Sequence, residues 1–382
     1  MSAATDLETT PWFAAFARPG LARAKPYDAT HHDFAWQHRE LHRMMSNECP
    51  LPPPRVVMDA VMDALRDGNL YPNTAWELRD ALAERNGVPA SSVMLGNGST
   101  EVIDVVVRAL IEDGDEAVIQ VPTYAYFETQ VRLQGGTPVL VPLRPDHAFD
   151  VEAMLASIND RTKLLMLCSP NNPTGNSISR EDLERLLSSG LPVVVDQAYV
   201  ECGYAEAFAP LVERHPNLMV AHTMSKAYGL AALRVGYLVA DPRFVDLLLR
   251  VRIPFSIGLL SARGCLAAVR DPDMLEERRS YISTERGRLL EALRAMPALT
   301  PFESQGNFIL IDVSRTGRTS TAIAEFCKRE GLVLLRAVTA HGLGDGHIRV
   351  TVGRRDENDL FLELIRRAVD EQPLPVPTAT GA

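Results

Sequence analysis

The chain has 382 residues, of which 46% are hydrophobic and 23% are charged, so it can bury a large core and form about two domains. Its formal net charge is -10 and it has no dense run of Lys and Arg, which argues against a nucleic-acid partner. The N-terminus lacks the basic start and apolar core of a signal peptide, and no stretch approaches about 18 unbroken apolar residues, so we expect a cytoplasmic protein without a membrane partner.

The first 50 residues carry Pro, His and isolated aromatic residues without a clear period. We predict that residues 1–50 form an N-terminal arm and a segment of a small domain, and that the arm packs on that domain or on a partner subunit.

Strand and helix patterns alternate in the next part of the chain. Seven short runs rich in Val, Ile and Leu are predicted as strands: SVMLG, EAVIQV, TPVLVPL, KLLMLC, PVVVD, LMVAH and GYLVA. The segments between them have helical length and period, and SREDLERLLSSG opens with a capping box of Ser179 and Asp182. This alternation predicts an α/β domain over 51–270, with a mostly parallel seven-stranded sheet flanked by helices. Ligands of such sheets bind at the carboxyl ends of the strands.

The pattern changes after residue 270. A long charged helix is followed by shorter strands and two further helices: DMLEERRSYISTERGRLLEALRAM, FILIDV, STAIAEFCKREG, LVLLRAV, HIRVTVG and DENDLFLELIRRAV. We predict a smaller α+β domain over 271–371 and a disordered tail over 372–382, QPLPVPTATGA.

Polar motifs follow several of the predicted strands. GNGSTE at 96–101 joins a strand to a helix, where backbone N–H groups and the hydroxyls of Ser99 and Thr100 suit a phosphate, although such a turn is more often structural. PTYAYFE places Tyr124 where it either stacks on a planar ring or packs in the core. SPNNPTGN predicts a rigid loop. DQAYVE places Asp196 at the tip of a buried strand, where a carboxylate needs a cationic or hydrogen-bonding partner.

The stretch TMSKAYGLAALRVGYLV holds Lys226 and Arg234 among glycines, hydroxyl residues and apolar chain. Taken alone, Lys226 is equally compatible with a solvated surface lysine. Taken with a phosphate cradle, a ring-stacking aromatic residue and a buried acid, it matches the needs of pyridoxal phosphate, whose aldehyde bonds to a lysine.

These ordered motifs resemble those of the fold-type I, pyridoxal-phosphate-dependent aminotransferases of class I/II, nearest to the histidinol-phosphate aminotransferases. The resemblance covers residues 20–370 and implies a homodimer. Its implied cofactor-binding residues are Ser99, Thr100, Tyr124, Asn172, Asp196, Tyr199, Thr223, Ser225, Lys226, Arg234 and, reaching the partner subunit's cofactor, Tyr71.

The resemblance also implies the catalytic roles. Lys226 bonds to the cofactor's aldehyde and then moves the Cα proton in a ping-pong cycle, Asp196 keeps the pyridine nitrogen protonated, and Tyr199 hydrogen-bonds the ring oxygen. The implied substrate-binding residues are Arg349, Arg336, Asn47, Tyr27 and Asn307. Arg349 would hold an α-carboxylate. With a donor such as histidinol phosphate, which lacks that carboxylate, Arg336 and Arg349 would instead bind the phosphate together, so the resemblance leaves open whether Arg336 meets a phosphate or a carboxylate.

The rim of the predicted substrate site departs from this family. Cys49 in SNECP replaces an asparagine, and PFSIG at 254–258 lacks two asparagines. This drift favours a specialised amino acid or amine as the amino donor, with a 2-oxo acid as the acceptor. It also leaves open a decarboxylase, a C–S lyase or an oxidative deaminase on the same scaffold, and more remotely a non-catalytic cofactor-binding regulator.

Other kinds of site have weak support. Five scattered cysteines without CxxC spacing predict neither a disulfide framework nor a zinc site. The run His31-His32-Asp33 is typical of a solvated loop rather than a metal site in the absence of further ligands.

Overall fold

The structure is a computed structural model, and its described part comprises Phe16, Leu21, 29–331, 333–338 and 343–370. The candidate residue Tyr27 and the predicted tail 372–382 lie outside the described residues, as does most of the predicted arm before residue 29. The side chain of Arg336 is also outside the description.

The described strands are numbered in chain order. They are β1 His42–Arg43, β2 Val93–Gly96, β3 Glu116–Val121, β4 Thr137–Pro142, β5 Thr162–Cys168, β6 Val193–Asp196, β7 Leu218–Thr223, β8 Gly236–Ala240, β9 Thr300–Pro301, β10 Phe308–Asp312, β11 Val333–Leu334, β12 Arg336–Val338 and β13 His347–Thr351.

The α-helices are numbered in the same way. They are α1 Thr30–Gln37, α2 Arg55–Ala64, α3 Trp76–Asn86, α4 Gly98–Leu110, α5 Tyr126–Leu133, α6 Val151–Ala156, α7 Arg180–Leu187, α8 Pro242–Leu249, α9 Leu259–Val269, α10 Pro272–Arg294, α11 Ser320–Gly331 and α12 Arg355–Asp370. None of these helices is long and apolar enough to cross a membrane.

The seven predicted strands form one mixed sheet in the order β2-β8-β7-β6-β5-β3-β4. The prediction of a mostly parallel sheet is confirmed, because only β8 runs antiparallel to its neighbours β7 and β2. Between β7 and β8 the chain contains a short 3₁₀ turn, Ala231–Leu233, instead of the crossover helix that parallel neighbours usually need. This connection carries Lys226 and Arg234.

Each face of the large sheet buries its own hydrophobic core. Val193 and Val195 of β6 pack into one core, whereas Val194 packs into the other, as the two-residue period of a strand requires. Strands β3, β5, β6 and β7 are buried along almost their whole length. Polar chemistry on these strands is therefore confined to their ends and the loops that follow.

A second, antiparallel sheet has the order β12-β13-β10-β9 and shares a core with α10, α11 and α12. Met44 belongs to the same core, and its carbonyl accepts a hydrogen bond of 2.8 Å from the backbone N–H of Thr351. Strand β1 pairs in parallel with β11. Residues 42–44 near the N-terminus thus pack with the C-terminal antiparallel sheet and its neighbours. The domain boundaries at 51, 271 and 371 stay predictions.

Residues 45–48, here called the bridging segment, connect the second sheet to the large one. The backbone N–H of Asn47 donates to Thr351 Oγ1 at 2.9 Å, and Asn307 Nδ2 donates to the carbonyls of Asn47 and Glu48 at 3.0 and 3.3 Å. Asn47 itself adopts a positive φ of 54°. The segment is thereby fixed against the ends of the large sheet's strands, where the candidate site lies.

Candidate active site

The candidate residues meet in one cavity of about 440 Å³ at the carboxyl ends of the parallel strands. Twelve of them line it: Asn47, Ser99, Thr100, Tyr124, Asn172, Asp196, Tyr199, Thr223, Ser225, Lys226, Arg234 and Arg349. They come from seven separate stretches of chain, so the fold brings together what the sequence spreads over about three hundred residues.

Four candidate residues are not among the lining residues. Asn307 is fully buried behind the wall and holds the bridging segment, and Tyr71 is 86% exposed, with its ring centroid 5.4 Å from that of Phe255. Tyr27 lies outside the described residues. The backbone of Arg336 is opposite Arg349 in the register of β12 and β13, which accounts for their thirteen-residue spacing.

One end of the cavity is an anion cradle. Thr223 Oγ1 donates to Ser225 Oγ at 2.9 Å, and Arg234 Nη1 donates to the same oxygen at 3.2 Å, beside the first turn of α4. A Cβ on Gly98, whose φ is +76°, would lie 2.3 Å from Arg234 Nη2. A Cβ on Gly236 would lie 2.3 Å from the backbone nitrogen of Ser99. Glycine at 98 therefore lets Arg234 approach the helix N-terminus, and glycine at 236 lets strand β8 approach it. N–H groups and a cation at this place suit a phosphate.

Asp196 lies at the tip of β6 and is 3% exposed. The backbone N–H of Ala198 donates to its Oδ1 at 3.0 Å, yet burial raises the pKa of its carboxyl group to about 6. The nearby charges of His222 and Lys226 oppose this rise. A buried carboxylate that lines a cavity is best stabilised by a cation, and a protonated pyridine nitrogen supplies one.

Hydrogen bonds orient the hydroxyl group of Tyr199 and the guanidinium group of Arg349 in the cavity wall. Asn47 Nδ2 donates to the hydroxyl oxygen of Tyr199 at 3.0 Å, and burial raises the pKa of Tyr199, so this hydroxyl stays protonated and able to donate. Arg349 Nη2 donates to the carbonyl of Met45 at 2.7 Å, and its Nη1 donates to Asn172 Oδ1. The arginine is thus held at the edge of the cavity in one orientation.

The loop that carries Asn172 is joined to the loop that carries Tyr124. Thr123 Oγ1 donates to Asn171 Oδ1 at 2.8 Å, and Asn171 Nδ2 donates to the carbonyl of Pro122 at 2.9 Å. The hydroxyl of Tyr124 lies 3.5 Å from Thr100 Oγ1. These contacts position the Tyr124 ring in the cavity wall beside the first turn of α4.

Lys226 extends across the cavity floor from the connection between β7 and β8. Its Nζ donates to the carbonyl of Ser46 at 3.1 Å and lies 5.5 Å from the centre of the Tyr199 ring. Burial, followed by the charge of Arg349, lowers the pKa of Lys226 to about 8. A larger fraction of neutral amine is therefore present near neutral pH than an exposed lysine has, as a nucleophile or general base requires.

Twelve further residues line the cavity without having been predicted as site residues, and two of them are adjacent histidines. His31 and His32 of α1 contribute to the cavity wall, whereas their sequence pattern was typical of a solvated loop. No local signal identifies them, because their place depends on how α1 packs on the bridging segment. Within the described residues, no group of His, Cys, Asp and Glu is arranged to hold a metal ion.

Comparison with known proteins identifies the family. Residues 40–365 match the family model described as aminotransferase class I and II. The chain is 36% identical to a histidinol-phosphate aminotransferase of Methanothermobacter thermautotrophicus over 336 residues, which cover 86% of this chain and 89% of that protein. It is 38% identical to an aromatic amino acid aminotransferase of Rhodococcus jostii over 325 residues, with coverages of 84% and 88%.

A solved structure agrees with these relatives. The crystal structure of histidinol-phosphate aminotransferase from Sinorhizobium meliloti, in complex with pyridoxal-5'-phosphate, superposes with a TM-score of 0.83 at 25% identity, over 92% of this chain and 97% of that one. The chain belongs to the class I and II aminotransferases. It is a pyridoxal-phosphate-dependent aminotransferase of fold type I, and the expectations for family, fold, enzyme class and cofactor are confirmed.

The residues in the cavity fit this cofactor. An anion cradle, an aromatic ring, a buried carboxylate and a lysine of lowered pKa are the groups that a phosphate, a pyridine ring and an aldehyde require.

The lowered pKa of Lys226 predicts the pH dependence of cofactor uptake. The rate at which the apoprotein binds pyridoxal phosphate covalently should rise with pH around a midpoint of about 8, because only the neutral amine reacts. Stopped-flow absorbance measures this rate. Arg349→Gln, which removes a nearby positive charge, should move the midpoint upward. If the unaltered protein showed a midpoint near the pKa of an exposed lysine, the lowered pKa of Lys226 would be contradicted.

Proposed function

We propose that this aminotransferase takes its amino group from an amino acid whose α-carboxylate Arg349 binds, passes it to a 2-oxo acid, and uses Lys226 as its base. The observation that supports this proposal is the single cavity that holds Lys226, Asp196 and Arg349. The names of the relatives make histidinol phosphate and aromatic amino acids the first donors to test.

Three residues carry the chemistry. When bound, pyridoxal phosphate acts as an electron sink that stabilises the negative charge left by removal of the Cα proton. Asp196 holds a proton on the ring nitrogen, and the Tyr199 hydroxyl donates toward the ring oxygen. Lys226 Nζ takes the Cα proton, and its pKa of about 8 suits a group that must both accept and return a proton near neutral pH.

Arg349 is suited to an α-carboxylate by its planar guanidinium group. Its contacts with Met45 and Asn172 already orient it, so little side-chain entropy is lost on substrate binding. The role of Arg336 depends on the amino donor. If the donor's α-carboxylate binds Arg349, Arg336 can bind a group at the other end of the donor. Histidinol phosphate has no carboxylate, so it requires a phosphate site instead.

Transamination is tested with a panel of amino donors that includes histidinol phosphate, glutamate and aromatic amino acids. We expect ping-pong kinetics, an intact 2-oxo skeleton from amino acid donors, and one aminated acceptor for each donor consumed, measured by mass spectrometry. Lys226→Ala should lower kcat at least about 10³-fold, because it removes both nucleophile and base.

Lys163→Ala is the matched control, because Lys163 is a half-exposed lysine outside the cavity and should leave kcat unchanged. Loss of the donor's carboxyl carbon as carbon dioxide, or no amino transfer with any donor, would contradict the proposal.

We further propose that the protein is a homodimer in which Tyr71 reaches the cofactor phosphate of the partner subunit. Exposed apolar residues support this proposal, and the rings of two of them, Tyr71 and Phe255, are in contact. The set is Val56, Met58, Met62, Leu65, Leu70, Tyr71, Ile253 and Phe255, each at least 46% exposed. Apolar patches of this kind on soluble proteins usually mark an interface.

Met62→Asp should convert the dimer to a monomer, because it places a charge among these exposed apolar residues. Light scattering after size-exclusion chromatography measures the mass. Tyr204→Asp is the control, because Tyr204 is also an exposed aromatic residue but lies beside Arg279, outside the proposed interface. This variant should stay dimeric. A monomeric unaltered protein, or a Met62→Asp protein that stays dimeric, would argue against this interface.

A further inference from the structure

Helix α1 forms one side of the cavity through two adjacent histidines. His31 and His32 line the same cavity as Lys226 and Arg349, and both are half-buried. Their ring centroids are 4.2 Å apart. Helix α1 packs on Met45, whose carbonyl accepts the hydrogen bond from Arg349, so its histidines line the cavity at the Arg349 end, where the proposed donor binds.

A small hydrophobic cluster holds α1 in this position. Ala35 of the helix packs with Leu41 and Met45, and Phe34 packs against the same cluster. Lys328 Nζ of α11 lies 4.3 Å from the centre of the Phe34 ring. Met45 is also a lining residue of the cavity, and its carbonyl accepts the hydrogen bond from Arg349. The helix is thus packed against the residue that orients the proposed carboxylate-binding arginine.

The charges around these histidines favour an anionic ligand. The two lining carboxylates among the described residues are Asp196 and Glu48. Asp196 lies at the cofactor end, and both oxygens of Glu48 accept hydrogen bonds from Arg43, at 2.7 and 3.1 Å. Neither of these two carboxylates is therefore available to a cationic side chain, whereas imidazole N–H groups donate hydrogen bonds to an anion.

We propose that His31 and His32 select the amino donor, and that they favour a side chain ending in an anionic group, either a carboxylate or a phosphate. This inference rests on the proposed function, since it assigns the side-chain end of the same substrate. The two histidines determine specificity and take no part in moving the Cα proton.

The test uses the full-length holoenzyme and the double variant His31→Leu/His32→Leu. Initial rates are measured with glutamate, histidinol phosphate and phenylalanine as donors, which carry a carboxylate, a phosphate and a neutral ring. We expect the double variant to raise KM about tenfold or more for whichever anionic donors the unaltered enzyme uses, as loss of a hydrogen bond to a charged group predicts. KM for phenylalanine, and kcat for all donors, should change less than about threefold.

A binding measurement tests the same idea without turnover. Glutarate, a dicarboxylate that has no amino group, should bind the double variant about tenfold more weakly than the unaltered holoenzyme, whereas 3-phenylpropionate should bind both equally. His31→Gln/His32→Gln, which keeps hydrogen-bond donors, should recover part of the affinity for glutarate. His38→Leu is the matched control, because His38 follows the same helix, pairs with Glu40 and does not line the cavity.

The outcomes separate this inference from the proposed function. A selective loss with glutamate identifies a carboxylate, a selective loss with histidinol phosphate identifies a phosphate, and either result supports the proposal. Equal losses with all donors, no loss with any, or an unaltered enzyme that accepts only phenylalanine would overturn it. An unaltered enzyme that transfers no amino group would instead refute the proposed function.

Discussion

The active site depends on how the four carbonyl groups of the bridging segment are held. The carbonyl of Met45 accepts a hydrogen bond from Arg349, and that of Ser46 accepts one from Lys226. The carbonyls of Asn47 and Glu48 both accept from Asn307. A buried segment without regular secondary structure needs partners for its backbone polar groups, and here the site's own cations supply two of them. The same bonds that satisfy this segment therefore position the proposed base and the proposed carboxylate-binding group, so the large sheet and the antiparallel sheet meet in a defined geometry.

Burial shifts two ionisable groups of the site in opposite directions. The pKa of Lys226 falls to about 8 and that of Asp196 rises to about 6, in both cases chiefly because burial disfavours the charged form. Lys226 is thus closer to the neutral state in which an amine reacts with an aldehyde. Asp196 is best stabilised as an anion by a positive charge on the ring of a bound cofactor. The charges that the cofactor would bring are thus opposite to those that these residues can carry, and the anion cradle with Arg234 is suited to its phosphate.

The sequence predicted much of this arrangement because its signals are local. A continuous apolar run that ends in an acid predicts a buried strand with Asp196 at its tip. The motif around Lys226 and Arg234 is likewise recognised from residues close together in the sequence, without knowledge of the packing around it. Long-range packing was harder to predict. The antiparallel direction of β8 follows from a connection without a helix, and the cavity-lining position of His31 follows from contacts of α1 with Met45. Asn307 holds the bridging segment, a role that only tertiary packing shows, while its predicted contact with substrate stays a prediction.

The covalent link between the cofactor and the chain is the most direct measure of this account. Reduction of the holoenzyme with borohydride, followed by proteolysis and mass spectrometry, reports which lysine carries the cofactor. The sequence has four lysines, Lys25, Lys163, Lys226 and Lys328, so each is readily resolved in separate peptides. The account predicts one equivalent of reduced pyridoxyl phosphate on Lys226 and none on the other three. A label on any other lysine, or an unlabelled Lys226 in a protein that retains the cofactor, would contradict it.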